Sequence, residues 1–114
     1  MRYVLTCCAL LAIAAVAPAS GARSTTEPEI EMEDFSFRPM RTVVSPRALV
    51  VWKNRDRARH NAQSLARLGE RPAFRTRTIG FRGEATARAP SRAGTYRYVC
   101  TIHPRMRGAL IVRR

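Results

Sequence analysis

Gly94-Thr-Tyr-Arg-Tyr-Val-Cys100-Thr-Ile-His103-Pro-Arg-Met106-Arg-Gly108-Ala-Leu-Ile-Val112 is the most informative stretch of this chain. Its first part is rich in aromatic and β-branched residues, and a strand is expected over Thr95–Cys100. Pro104 and Gly108 close a short loop behind it. An apolar run then predicts a second strand over Ala109–Arg113.

The same strand signal recurs outward along the chain, at Glu29–Phe35, Thr42–Ser45, Leu49–Lys53, Phe74–Ile79 and Glu84–Arg88. Breakers separate these runs: Pro39, Pro46, Asn54–Asp56, Gly69–Pro72, Gly80–Gly83 and Pro90–Gly94. No stretch beyond the N-terminal leader has a helical period. Arg57–Arg71 reads as a long loop with a helical turn, and loops of that length are often functional. Short strands at this spacing predict an all-β chain, a small antiparallel sandwich of about seven or eight strands. With 114 residues there is room for one small core. A dinucleotide-binding α/β fold, a (β/α)₈ barrel and any multidomain enzyme are excluded on size.

The N-terminus predicts export. Met1-Arg2 is a short basic start, Val4–Ala17 is almost wholly apolar, and small residues follow. Ala17-Pro18-Ala19 and Ser20-Gly21-Ala22 both match a small-x-small cleavage site. Residues 1–22 are therefore read as a secretory signal peptide, cut after Ala19 or Ala22. The apolar run falls short of the roughly 20 residues that span a bilayer, so no stable membrane insertion is expected after cleavage. Cleavage removes Cys7 and Cys8 and leaves Cys100 as the only thiol. Exported cysteines usually pair. A lone one must be buried, joined to another chain, or bound to something.

Charge is distributed unevenly. The chain has 21 Lys+Arg against 8 Asp+Glu, and Lys53 is the only lysine. Residues 23–34 form an acidic N-terminal segment leading into the first strand, and the folded domain is expected over 29–114. The basic body allows two readings besides a solvated arginine-rich surface. One is steering of an acidic redox partner, the other binding to acidic lipid or polysaccharide. Export and the lack of an aromatic–basic stacking motif argue against nucleic acid as the physiological partner.

Cys100, His103 and Met106 lie at steps of three and offer a thiolate, an imidazole and a thioether. Thiolate and thioether favour Cu(I), and imidazole holds Cu(II). His60, the only other histidine, follows an apolar strand and an Asn-Arg-Asp turn. It can complete a His₂Cys plane with Met106 as the long axial ligand, the blue-copper geometry. Each residue alone has a plainer reading: a buried thiol, a core methionine, a loop histidine. A zinc site would make little use of Met106. A Cys–His nucleophile pair would lack an orienting third group. Met32 and Met40 are weaker metal candidates. Trp52, Phe37, Tyr96 and Tyr98 are expected in the core or on strand faces, with Tyr98 near the metal by alternation with Cys100.

These residues resemble the cupredoxins, most closely the amicyanin-like and plastocyanin-like small blue copper proteins. The resemblance is carried by Phe35-Ser-Phe37-Arg-Pro39, Val50-Val-Trp52-Lys-Asn54, Asp56 followed by His60-Asn61, Gly94-Thr-Tyr96-Arg-Tyr98-Val-Cys100 and Gly108-Ala-Leu-Ile-Val112. The two-residue gaps between Cys100, His103 and Met106 look like the short amicyanin loop. The resemblance implies a Greek-key β-sandwich holding one type 1 copper ion on His60, Cys100, His103 and Met106. It implies that Asn61 hydrogen-bonds near the thiolate and ties to Thr101 across two loops. It also implies a monomeric, periplasmic one-electron carrier, with His103 as the solvent-edge ligand and His60 as the buried one. Two histidines are too few for a second, catalytic copper centre, so no enzyme activity is expected. The alternatives are a periplasmic copper chaperone and a basic β-sandwich module binding acidic surfaces.

Overall fold

The computed structural model describes residues 12–18 and 26–114. The expected cleavage points after Ala19 and Ala22 lie outside the described residues. No helix among the described residues is long and apolar enough to cross a membrane.

Two four-stranded sheets pack face to face. The first has the order β2-β1-β4-β8, from Ser36–Arg38 (β2), Glu29–Glu33 (β1), Leu49–Asn54 (β4) and Glu84–Arg88 (β8). The second has the order β3-β10-β9-β5, from Arg41–Val44 (β3), Arg107–Val112 (β10), Gly94–Val99 (β9) and Gln63–Ser64 (β5). A small ribbon joins Arg67–Leu68 (β6) to Arg71–Pro72 (β7). The sheets are mixed rather than wholly antiparallel. β1 runs parallel to β4, and β3 runs parallel to β10. The chain leaves the first sheet after β2, lays β3 in the second, and returns with β4 pointing the same way as β1.

Period-two burial builds the core. On β1, Ile30 and Met32 turn inward, while the intervening glutamates face outward. Glu29 pairs with Lys53 at 2.7 Å and Glu31 with Arg55 at 2.9 Å, so the acidic start lies against basic residues of the body. Such exposed pairs are screened by water and contribute little to stability. Inside, Trp52 stacks on Phe74 at 5.8 Å and meets Tyr98 edge-on at the same distance. Phe37 packs edge-to-face on Tyr98 at 4.7 Å. Each aromatic pair adds about 0.5–1.5 kcal/mol beyond the area it buries.

Four local expectations are corrected. The expected strand Glu29–Phe35 stops at Glu33. Asp34 and Phe35, at φ 51° and 55°, form a two-residue turn into β2. Positive φ at both positions suits a tight hairpin, but phenylalanine is a poor residue for it and gives no turn signal. Phe74–Ile79 is not a continuous strand and touches its neighbours through two isolated bridges, Gln63↔Arg75 and His60↔Ile79. Between them the Thr76 hydroxyl, rather than a ladder carbonyl, accepts the Ala62 N–H at 3.0 Å. Arg57–Arg71 holds β5 and β6 in place of a helical turn, with Gly69 at φ 65° turning the β6–β7 ribbon. Tyr98 is wholly buried among Phe37, Trp52 and Phe74, in the core rather than against the histidines.

Gly108 is obligatory for a steric reason. It faces Tyr98 across the β9–β10 ladder, and a Cβ there would sit 2.4 Å from Tyr98 Cζ. The phenol ring occupies the space that a side chain would need. Gly108→Ala should lower stability by about 1–3 kcal/mol. Urea unfolding should show this as a lower midpoint with an unchanged slope; an unchanged midpoint would refute the packing account.

Candidate metal centre

β9 ends at Val99, and the next seven residues form the loop to β10. Two backbone bonds close it. Met106 N–H donates to the His103 carbonyl at 2.9 Å, and Cys100 N–H donates to the Met106 carbonyl at 3.1 Å. The loop therefore doubles back on itself. Cys100 and Met106 are buried with the core, while His103 is half-buried. Met106 and His103 line one surface hollow with Phe35, Ile102 and Pro104.

His60 arrives from the other side. Asn54, buried at the end of β4, folds the intervening chain into a knot. Its Nδ2 donates to the carbonyls of Ala58 at 2.8 Å and Ile79 at 2.9 Å, and its Oδ1 accepts the Asp56 N–H at 2.9 Å. His60 then exchanges both backbone bonds with Ile79, at 3.1 and 2.7 Å. This pins a ring that has no solvent exposure.

The structure brings three of the expected residues to one point. His60 Nδ1 lies 3.2 Å from His103 Nδ1, and Cys100 Sγ lies 4.0 and 3.9 Å from them. Bonds of about 2.0–2.3 Å to one first-row ion place its ligand atoms roughly 3.3–3.8 Å apart, so this triangle has the size of a metal site. A soft sulfur with two imidazole nitrogens is a donor set that suits copper. Cys100 has no disulfide partner among the described residues.

Asp56 stands behind His60. Its Oδ2 meets His60 Nε2 at 2.8 Å, which assigns the proton to Nε2 and leaves the Nδ1 lone pair facing the cluster. The same carboxylate accepts the N–H groups of Asp34 and Phe35, each at 2.9 Å. Burial alone would raise its pKa. The Phe35 N–H, the His60 ring and the Asp34 N–H outweigh that and hold it below the ordinary 3.8. The turn so held sets the Phe35 ring edge-on to both histidines, 5.2 Å from His60 and 5.0 Å from His103.

Asn61 and Thr101 join the two loops. Asn61 Nδ2 donates to Thr101 Oγ1 at 2.7 Å, and Thr101 N–H donates back to Asn61 Oδ1 at 2.8 Å. The Asn61 N–H points at Cys100 Sγ at 3.4 Å. In the sequence, Asp56, Asn54 and Phe35 carry the family resemblance without a stated part in the site. A carboxylate four residues before a ligand histidine was the available signal for Asp56. Nothing local marks Phe35, because its place depends on a turn held from elsewhere.

Comparison with known proteins agrees with this geometry. The family model for the cupredoxin-like domain matches residues 6–112. Among solved structures, a Cu(I) methionine-to-alanine mutant of amicyanin is 26% identical, with a TM-score of 0.67 over 75% of this chain and 81% of that one. A second Cu(I) methionine-to-alanine mutant of amicyanin is 28% identical, with a TM-score of 0.68 over 81% of this chain and 88% of that one. A reduced tryptophan-to-tyrosine mutant of amicyanin gives 26% identity and a TM-score of 0.68 over the same shares of the two chains. No curated protein sequence matches. The chain thus belongs to the cupredoxin-like family, and the donor set at its centre is that of a type 1 copper site.

Proposed function

We propose that this protein is an exported, monomeric type 1 copper protein that carries single electrons between redox partners, and that it is not an enzyme. The triangle of His60 Nδ1, His103 Nδ1 and Cys100 Sγ carries the reading. His60, His103, the Cys100 thiolate and the Met106 thioether would hold the ion. Bound copper supplies the Cu(I)/Cu(II) couple.

The chain's own part is to hold these ligands still. Asp56 fixes the tautomer and tilt of His60. The reciprocal Asn61–Thr101 bonds clamp the loop of the buried histidine to the loop of the thiolate. The Asn61 N–H stabilises negative charge on sulfur. A clamped site favours a carrier over a chaperone, which needs ligands that open to exchange metal. His103, at the surface beside Phe35 and Ile102, is the natural port for electrons. Both histidines of the chain are committed to this one site, leaving none for acid–base work or a second copper centre.

Export to the periplasm is supported by the leader-like residues 1–22, followed by the domain over 29–114. An acidic redox partner is supported by the excess of 21 basic over 8 acidic residues.

Adding Cu(II) to the purified protein should give an intense blue absorption and narrow copper hyperfine splitting in EPR. Both should vanish in Cys100→Ser. A pale spectrum indifferent to that substitution would refute the reading. Asp56→Ala should weaken copper binding by about 10–100-fold in competition with a chelator, because the His60 ring loses its anchor. Unchanged affinity would show that packing alone orients the ring.

A further inference from the structure

We propose that the outer face of the β3-β10-β9-β5 sheet is the docking surface for an acidic protein partner, one that inserts an apolar side chain ringed by carboxylates. The proposal rests on the carrier reading for what the partner does, but not for where it binds.

The strands of the two sheets differ in their charge. The strands of the first sheet carry Glu29, Glu31, Glu33 and Glu84, and Lys53, Arg55 and Arg38 pair with the first three. The strands of the second sheet contain no Asp or Glu at all. Their cations are Arg41, Arg97 and Arg107, all exposed, and none forms an ion pair among the described residues. Three guanidinium groups left without carboxylates on one face make a site of unbalanced positive potential, and potentials across an interface are complementary.

Between these arginines lies a hollow of about 210 Å³, lined by the side chains of Met40, Leu65, Val99 and Ala109. Met40 and Leu65 are more than half exposed, at 61% and 56%. Gly108 and Tyr98 complete its lining. The hollow is smaller than the roughly 300–1,000 Å³ of ordinary small-molecule pockets. It is the right kind of place for one anchoring side chain, with guanidinium groups around the rim to meet a partner's carboxylates. A lipid bilayer has no protrusion to fill a concave site, which favours a protein. The face also adjoins the metal loop, since Val99 precedes Cys100 and Arg107 follows Met106. A partner seated there lies beside the centre.

The test is an NMR titration of the copper-loaded Cu(I) protein, in low salt, with a synthetic peptide of glutamates flanking one phenylalanine. Amide shifts should gather at Leu65, Arg97, Val99 and Arg107. Arg97→Glu should weaken binding about tenfold, while Arg92→Glu, the same charge change away from the hollow, should leave it within about twofold. Equal losses in the two variants would overturn the proposal in favour of diffuse attraction. Shifts confined to Ile102, His103 and Arg105 would move docking to the histidine end and overturn it as well. So would a response of the same amides to phosphatidylglycerol vesicles without one to the peptide. The visible spectrum of a portion of each sample, oxidised to Cu(II) with ferricyanide, separates the two readings: a missing blue band would refute the carrier and leave the docking result standing.

Discussion

The register of β9 against β10 is the constraint on which the rest of the molecule depends. Tyr98 faces Gly108 across that ladder, and the two strands then deliver Cys100 and Met106 to one end of the sandwich. The Cys100 N–H to Met106 carbonyl bond continues the ladder into the loop. A slip of one residue would turn every side chain to the opposite face. Cys100 would leave the core, and Tyr98 would lose the one position with room for its ring. Register is thus enforced twice: by the burial of Tyr98, Leu110 and Val112, and by the steric fit at Gly108.

A second constraint ties distant segments to this frame. Two φ-positive residues in the β1–β2 turn, one of them phenylalanine, cost about 1–2 kcal/mol apiece. The hydrogen bonds from their N–H groups to the Asp56 carboxylate return roughly 1.5–3 kcal/mol each, enough to hold the turn. The carboxylate that stabilises the turn also orients His60. Through it, the strain that places Phe35 over the histidines is coupled to the orientation of a proposed ligand. Strain at a functional centre is commonly sustained by its surroundings in this way.

Much of this was legible in the sequence. Strand-like runs separated by Pro, Gly and Asn marked six of the principal strands within a residue or two, and Cys100-x-x-His103-x-x-Met106 located the metal loop. The parts that were not legible share one cause. Phe35 looks like strand because nothing nearby forces positive φ on it. Phe74–Ile79 looks like strand because Phe74 and Ile79 do face the core; only the Thr76 hydroxyl reveals that the ladder is broken. Asn54 looks like an ordinary turn residue, yet it is buried and organises the whole approach to His60. In each case the deciding hydrogen bond comes from a residue far along the chain.

By itself, the sequence determined the all-β class, the donor types and the excess of arginine, because alternation, ligand chemistry and charge are properties of neighbouring residues. The mixed sheets, the meeting of His60 with a loop some 40 residues away, the Asp56 junction, and the confinement of the sheet carboxylates to one of the two sheets came only with the fold. Those depend on which strands lie side by side. That is settled by how the two apolar faces close on Trp52, Phe37 and Tyr98.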